Sequence, residues 1–205
     1  MATKVENVQP IKDKYKLHQV EETLRKDFQA GTRNLMIFRT GIITLLRCSD
    51  VLSLKMNDIY DENGYPVDYI HIKDQKTGKQ NDIYIKPLFN DLIEYRRYRL
   101  KHHIKSIYLF PSIWNLNHYR KIKDHPISRS RFYNILKKVS QNTGIRYLGT
   151  HTMRKTGAYI VYQQTHNIAF VMHKLNHSNE GVTMRYLGID NDSDKRILDS
   201  IKWNL

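Results

Sequence analysis

The chain has 205 residues, of which 40% are hydrophobic and 26% charged, an ordinary globular mix with length for one domain or two small ones. A net charge of +14 favours a polyanionic partner, and a single cysteine, Cys48, excludes an internal disulfide or a cysteine metal cluster. No apolar run reaches membrane-spanning length and the N-terminus lacks a signal peptide's apolar stretch, so the expectation is a cytoplasmic, nucleoid-associated protein that meets nucleic acid and no membrane.

Residues 1–16 are polar with one proline and read as a loose arm. Helical periodicity starts at Leu17 and continues through Val20, Leu24 and Phe28, until Gly31 and Thr32 break and restart it. "NLMIFRTGIITLLR" predicts a buried helix ending near Arg47, and Ser49 a cap for a short helix that turns Val51, Leu52 and Leu54 inward. "VDYIHIK" and "NDIYIKP" then read as strands joined through the polar "DQKTGKQ", a hairpin signal. After Pro87 the helical period returns in "LFNDLIEYRRYRL", then in "SRSRFYNILKKVSQNTG" with Ser128 as cap and Gly144 as stop. "THTMRKTGAYIVYQQ" follows from a Thr150 cap, and "NIAFVMHKLNH", "NEGVTMRYLG" and "DSDKRILDSIKWNL" complete a helical second half. The expected fold is mostly α with a small antiparallel β-sheet (α+β): one domain over 17–205, with a terminal helix over 192–205.

Chemistry concentrates in a few of these elements. His151 and Arg154 are three apart near a helix start, with Lys155 beside them, where free backbone N–H groups also favour an anion. A phosphate site and a solvated basic face both fit this stretch alone. Arg47 closes an apolar run, an expensive place for an unpaired guanidinium, and Asp50 is the nearest candidate partner. Arg96 and Arg97 lie in "EYRRYRLKHH", which suits either DNA backbone contact or an exposed helix face. His173 and His177 have a zinc-compatible spacing, but no third ligand stands near and no metal is expected.

The set "LLRCSDVLSL", "KTGK" between strands, "HTMR" and "LNHSNEGVTMRY" resembles the tyrosine recombinase (phage integrase) family in order and spacing, from about residue 17 to 200. The resemblance implies a tyrosine recombinase catalytic-domain fold, DNA strand cleavage and rejoining through a covalent 3′-phosphotyrosyl intermediate, and neither metal nor nucleotide cofactor. Carried over, it makes Arg47 and Arg154 the two motif arginines, Lys76 the hairpin lysine, His151 and His177 the motif histidines, Tyr186 the nucleophile and Asp50 the acidic brace. The choice of Lys76 over its neighbours rests on the "KTG" match. Lys73, Lys79, Lys155, Arg96 and Arg97 are the further DNA-contacting candidates.

The chemistry asks for the same groups. Two forked guanidiniums suit the charge that builds on a phosphodiester under attack. A phenol of pKa about 10 needs a proton acceptor, for which His151 is the candidate, and the leaving 5′-oxygen needs a proton that a lysine such as Lys76 can deliver. Two departures stand out. Most relatives carry an N-terminal helical domain where this sequence has its short arm, so a short form is expected; and Leu45-Leu46-Arg47 stands where the motif usually begins with glycine. The expected partners are double-stranded DNA, further copies of the chain on it and a phage or host accessory DNA-binding protein. Ile197, Leu198, Ile201 and Leu205 make an apolar face expected to dock on a neighbouring protomer. The alternative function is a recombinase-derived DNA-binding or regulatory protein with little cleavage.

Overall fold

A computed structural model describes residues 8–75, 78–112, 124–189 and 199–201. Lys76, Thr77 and nearly all of the terminal helix expected over 192–205 lie outside the described residues. The first helix, α1, spans Lys14–Lys26 and starts ahead of the apolar period, because the Asp13 carboxylate accepts the Lys16 N–H at 2.8 Å. Val20 and Leu24 form its buried face. Helix α2 spans Gly31–Thr44 and stops before Arg47, since Leu45 takes a left-handed conformation (φ 56°). Arg47, not Ser49, holds the N-cap position of α3, Cys48–Ser53, and one more turn, α4, covers Met56–Ile59.

Strands β1, Tyr69–Lys73, and β2, Gln80–Tyr84, pair antiparallel with Ile70 opposite Ile83, and both isoleucines point into the core. These are the two strands among the described residues. Helix α5 spans Phe89–Lys101. Helix α6, Arg129–Thr143, has both expected ends: Ser128 Oγ accepts the Arg131 N–H at 3.1 Å, and Gly144 (φ 71°) closes it. Helix α7 is Thr152–Thr165, α8 Ile168–Leu175 and α9 Glu180–Tyr186. The residue at the cap position of α7 is His151 rather than Thr150; Thr152 Oγ1 accepts the Gly149 N–H at 2.9 Å and steadies the turn instead.

The main core packs α1, α2, α3, α5 and α6 around Phe38, Phe110, Phe132 and Tyr95. A second cluster gathers Leu45, Ala158, Val171, Leu175 and Leu187, with Tyr186 packed against it. The two meet where α2 crosses α7. A Cβ on Gly157 would sit 1.9 Å from the Ile42 carbonyl oxygen, and one on Gly41 2.3 Å from Met153 Sδ, so only glycine lets the backbones approach this closely. That crossing sets the end of α2, and Arg47 just beyond it, beside the first turns of α7.

The segment before α1 is not loose over residues 8–13. Ile11 is buried, at 2% exposure, and its N–H donates to Thr156 Oγ1 at 3.0 Å. Val8 packs on Gly149, and the Lys12 ammonium donates to the Gly188 carbonyl at 2.5 Å. This strap crosses α7 from its start to the turn after α9. No helix among the described residues is long and apolar enough to cross a membrane.

Candidate active site

Arg154 lies in the first turn of α7, 6% exposed, and its Nη2 donates to the Leu175 carbonyl at the end of α8 at 3.0 Å. That bond satisfies one otherwise orphaned C-terminal carbonyl and leaves the rest of the fork free to act. Burial lowers the Arg154 pKa, and Tyr186 opposes the shift. Arg47 reaches the same place from the turn between α2 and α3. Its partner is Asp74, at the end of β1, and not Asp50: the guanidinium Nη1 donates to Asp74 Oδ2. The hairpin folds back over α3 and brings Asp74 closer than the neighbour in sequence. Asp50 instead accepts the Gln75 N–H at 3.2 Å, bracing the hairpin base against α3. Burial raises the Asp50 pKa, and Oδ2 has no hydrogen-bond partner among the described residues.

His151 holds the N-cap position of α7 without a side-chain cap hydrogen bond and keeps part of its surface exposed. Desolvation lowers its pKa, reinforced by the positive charges of Arg129, Arg154, Lys155 and Arg47. His177 follows Asn176, whose left-handed backbone (φ 57°) ends α8, so His173 and His177 do not share a helix face as the zinc spacing requires. His177 Nδ1 lies 3.1 Å from Thr183 Oγ1, and its ring meets Tyr186 edge-on, with centroids 5.2 Å apart at 85°. Its pKa is lowered by burial, then by Arg154 and Arg47.

Tyr186 ends α9. Burial raises its phenol pKa, while Arg154 and Arg47 pull it back. Its hydroxyl is buried and has no hydrogen-bond partner among the described residues. Arg47 from the turn between α2 and α3, His151 and Arg154 from the start of α7, His177 from the loop after α8 and Tyr186 from the end of α9 thus come together, with Asp50 and Asp74 as counter-charges. Among the described residues no group of histidine, cysteine and carboxylate side chains is placed to hold a metal.

The other candidates scatter. The Lys79 ammonium donates to Asn176 Oδ1 at 3.2 Å, bridging the hairpin to the His177 loop, and Lys73 is exposed on the same hairpin. Lys155 donates to the Val8 carbonyl at 2.7 Å and stands over the Tyr186 ring. Arg96 packs over the turn at Gly64 and Arg97 is exposed, both away from this cluster, while Arg99 in the same run is buried and donates to the carbonyls of Ser106, Tyr108 and Leu109. Arg129, at the start of α6, was not singled out from sequence. It lines an open cleft of about 440 Å³ together with Arg47, Ser49, Gln75 and His151. An arginine directly behind a Ser cap was the available signal, and it says nothing of what lies across the fold.

Residues 14–192 match the phage integrase family. The chain belongs to that family, the tyrosine recombinases. It is 35% identical over 189 residues to Probable integrase/recombinase YoeC of Bacillus subtilis (strain 168), covering 92% of this chain and 93% of that protein. It is 28% identical over 173 residues to tyrosine recombinase XerH of Campylobacter jejuni, covering 82% of this chain but 45% of that one. Among solved structures, XerA recombinase superposes with a TM-score of 0.68 at 18% identity, over 97% of this chain and 68% of that one. XerH bound to palindromic difH substrate, in a post-cleavage complex, superposes at 0.66 and 22% identity, over 96% of this chain and 54% of that one. The chain therefore spans about half the length of the XerH proteins it matches, and the shared architecture is that of the tyrosine recombinase catalytic domain.

Proposed function

We propose that the chain is a site-specific DNA recombinase that cuts and rejoins strands with Tyr186 as nucleophile, in the service of a phage or other mobile element. The observation that carries this reading is the convergence of Arg47, Arg154 and His177, from three separate parts of the chain, on one buried tyrosine, with His151 beside the two arginines. A structural ion-pair network has no use for a phenol shielded from water with no partner among the described residues, whereas a phosphate seated between Arg47 and Arg154 supplies one. Family membership and the relatives named integrase, recombinase and XerH support the same chemistry.

The step balances without a cofactor. The Tyr186 oxygen attacks the phosphorus and its proton passes to His151, which desolvation and neighbouring cations hold neutral and able to accept. The phosphorus–oxygen bond to the 5′-carbon side breaks, the 3′-phosphate stays on tyrosine, and the 5′-oxygen takes a proton from Lys76. Arg47, Arg154 and His177 hold the non-bridging oxygens as charge builds there. Reversal by a new 5′-hydroxyl rejoins the strand, so the bond energy is kept. Lys73, Lys79, Arg129 and Lys155 extend the positive surface toward flanking phosphates, with double-stranded DNA, further protomers and an accessory DNA-binding protein as partners in a cytoplasmic setting.

The test is to incubate the protein with nicked duplexes from its own genomic neighbourhood and resolve the products on a denaturing gel. A protein–DNA adduct that disappears in Tyr186→Phe, while DNA binding persists, is the expected result. No adduct on any such duplex, or an adduct surviving in Tyr186→Phe and mapping to another tyrosine, overturns the reading.

A further inference from the structure

Two guanidiniums that are to share one phosphate repel each other until it arrives. Burial lowers the Arg154 pKa, and the charge of Arg47 lowers it further. Each arginine is nevertheless held by one of its terminal nitrogens. Arg154 gives Nη2 to the Leu175 carbonyl, and Arg47 gives Nη1 to Asp74 Oδ2. Among the described residues neither guanidinium makes another hydrogen bond. The two holds differ in kind, because a carbonyl is neutral and a carboxylate carries a full charge. The Asp74 side chain is 10% exposed and that of Arg47 21%, so little water reaches the pair to screen it.

The carboxylate comes from a fixed backbone. The Asp74 N–H donates to the Lys79 carbonyl at 2.9 Å, and the Asp74 carbonyl accepts the Gly78 N–H at 2.8 Å, which closes the hairpin turn. The Gln75 N–H then donates to Asp50 Oδ1, and the Lys79 ammonium to Asn176 Oδ1, each at 3.2 Å. The turn is thus tied to α3 on one side and to the end of α8 on the other. Asp50 is the less ready counter-charge, since burial, and then the charge of Asp74, raise its pKa.

We propose that Asp74 is a positioning residue for Arg47, its carboxylate holding Nη1 so that the side-on edge of the guanidinium, Nε and Nη2, is presented to the scissile phosphate. The inference rests on the recombinase reading above for its consequence and on the hairpin geometry for its basis. A guanidinium carries its donors in a planar fork, so a carboxylate on one nitrogen leaves a forked edge for the phosphate. The opposing possibility is that Asp74 stands in the phosphate's place and must leave before DNA is gripped. The two differ in sign. Removing a competitor frees the arginine and speeds cleavage. Removing a support leaves the arginine charged but unaimed, and slows it. In neither case does losing a negative charge beside the site weaken the attraction for DNA. Positioning therefore shows as slower chemistry on DNA that is bound at least as tightly.

The experiment compares wild type with Asp74→Asn, which keeps the shape and removes the charge. In ¹⁵N-labelled full-length protein the Arg47 guanidinium is assigned by NMR. Affinity for the nicked duplex is measured by fluorescence anisotropy at fixed salt, and adduct formation on it is timed at saturating protein. Wild type is expected to show an Arg47 guanidinium restrained from rotating, and Asp74→Asn one that rotates freely. Adduct formation is expected to slow by about ten- to a hundred-fold in Asp74→Asn, the usual cost of losing the group that orients a functional side chain, while affinity stays equal or rises. An adduct rate in Asp74→Asn equal to or above wild type overturns the proposal, and so does a rate that falls only in step with a weaker affinity. If Asp74→Asn does not fold, the wild-type spectrum decides, since a freely rotating Arg47 guanidinium there also overturns it. A restrained guanidinium that Asp74→Asn releases, in a protein that forms no adduct on any duplex, refutes the recombinase reading and leaves the hold of Asp74 on Arg47 standing.

Discussion

The Lys155 ammonium lies 4.9 Å from the centroid of the Tyr186 ring and donates to the Val8 carbonyl at 2.7 Å, so one side chain ties the N-terminal strap to the proposed nucleophile. Burial lowers the pKa of this lysine, yet the carbonyl and the ring face both favour the charged form. Lys155→Met keeps the stem and removes the charge. It should cost about 1–2 kcal/mol of stability, from one charge-assisted hydrogen bond and one cation–π contact. Urea unfolding measures the loss, and limited proteolysis should show faster cutting within residues 8–12. An unchanged midpoint and cutting rate would mean that the strap is held without Lys155, by Ile11, Val8 and the Lys12–Gly188 bond.

The crossing of α2 on α7 makes a second prediction. Gly157→Ala places a methyl group 1.9 Å from the Ile42 carbonyl oxygen, a backbone atom that moves only if the helix moves. Overpacking of this kind costs about 1–3 kcal/mol. Because Arg47 and Arg154 sit on opposite sides of that contact, adduct formation should fall by more than the loss of folded protein explains. Normalising the adduct rate to the folded fraction by circular dichroism separates the two effects. A normalised rate equal to wild type would show that the arginines are not set by this crossing.

How much of this was legible in the sequence follows the range of each signal. The ends of α6 were readable because Ser128 and Gly144 act on their own neighbours. The hairpin was readable because the change to period two is local. The end of α2 was not: Leu45 and Leu46 continue the apolar run, and only packing in the second cluster imposes a left-handed turn on Leu45. Asp50 was the partner suggested for Arg47 because it lies nearby in sequence, while Asp74 arrives only once the hairpin folds back. The polar character of residues 1–16 concealed Ile11, whose burial depends on a groove made by α7. The site residues were recognisable as a motif set; Thr183, within hydrogen-bond distance of His177, and Arg129, which shares a cleft with Arg47 and His151, carry no such mark.

The histidines set the response to acid. Both His151 and His177 have pKa values lowered from 6.5 in the folded chain. Between the folded value and 6.5 the unfolded chain binds more protons, so their contribution to stability is full above 6.5 and is lost as pH falls through that window. Asp50 works in the opposite sense: its raised pKa gives a contribution that is full below 3.8 and is lost as pH rises from there through the folded value. The free protein should therefore lose stability from pH 7.5 to 5.5, and a His151→Gln, His177→Gln double variant should lose less. Urea midpoints at the two pH values test this, and equal losses in both proteins would assign the acid sensitivity to other groups.

Leu45 stands where the family motif usually has glycine, and its backbone explains why glycine is usual: φ is 56°, in the left-handed region. An L-residue there costs roughly 1–2 kcal/mol. Leu45→Gly removes that strain but also removes a side chain at 4% exposure, packed with Ala158, Val171, Leu175 and Leu187. Emptying a buried leucine site costs about 2–5 kcal/mol. The packing loss matches or exceeds the relief across both ranges, so the substitution toward glycine should destabilise this chain, by up to about 4 kcal/mol. The second cluster also backs Tyr186, so adduct formation should fall with it, and adding back a larger side chain at Ala158 should recover part of the stability. A thermal melt of Leu45→Gly that rises above wild type would show that the left-handed strain outweighs the packing, and that leucine persists at this position for a reason other than stability.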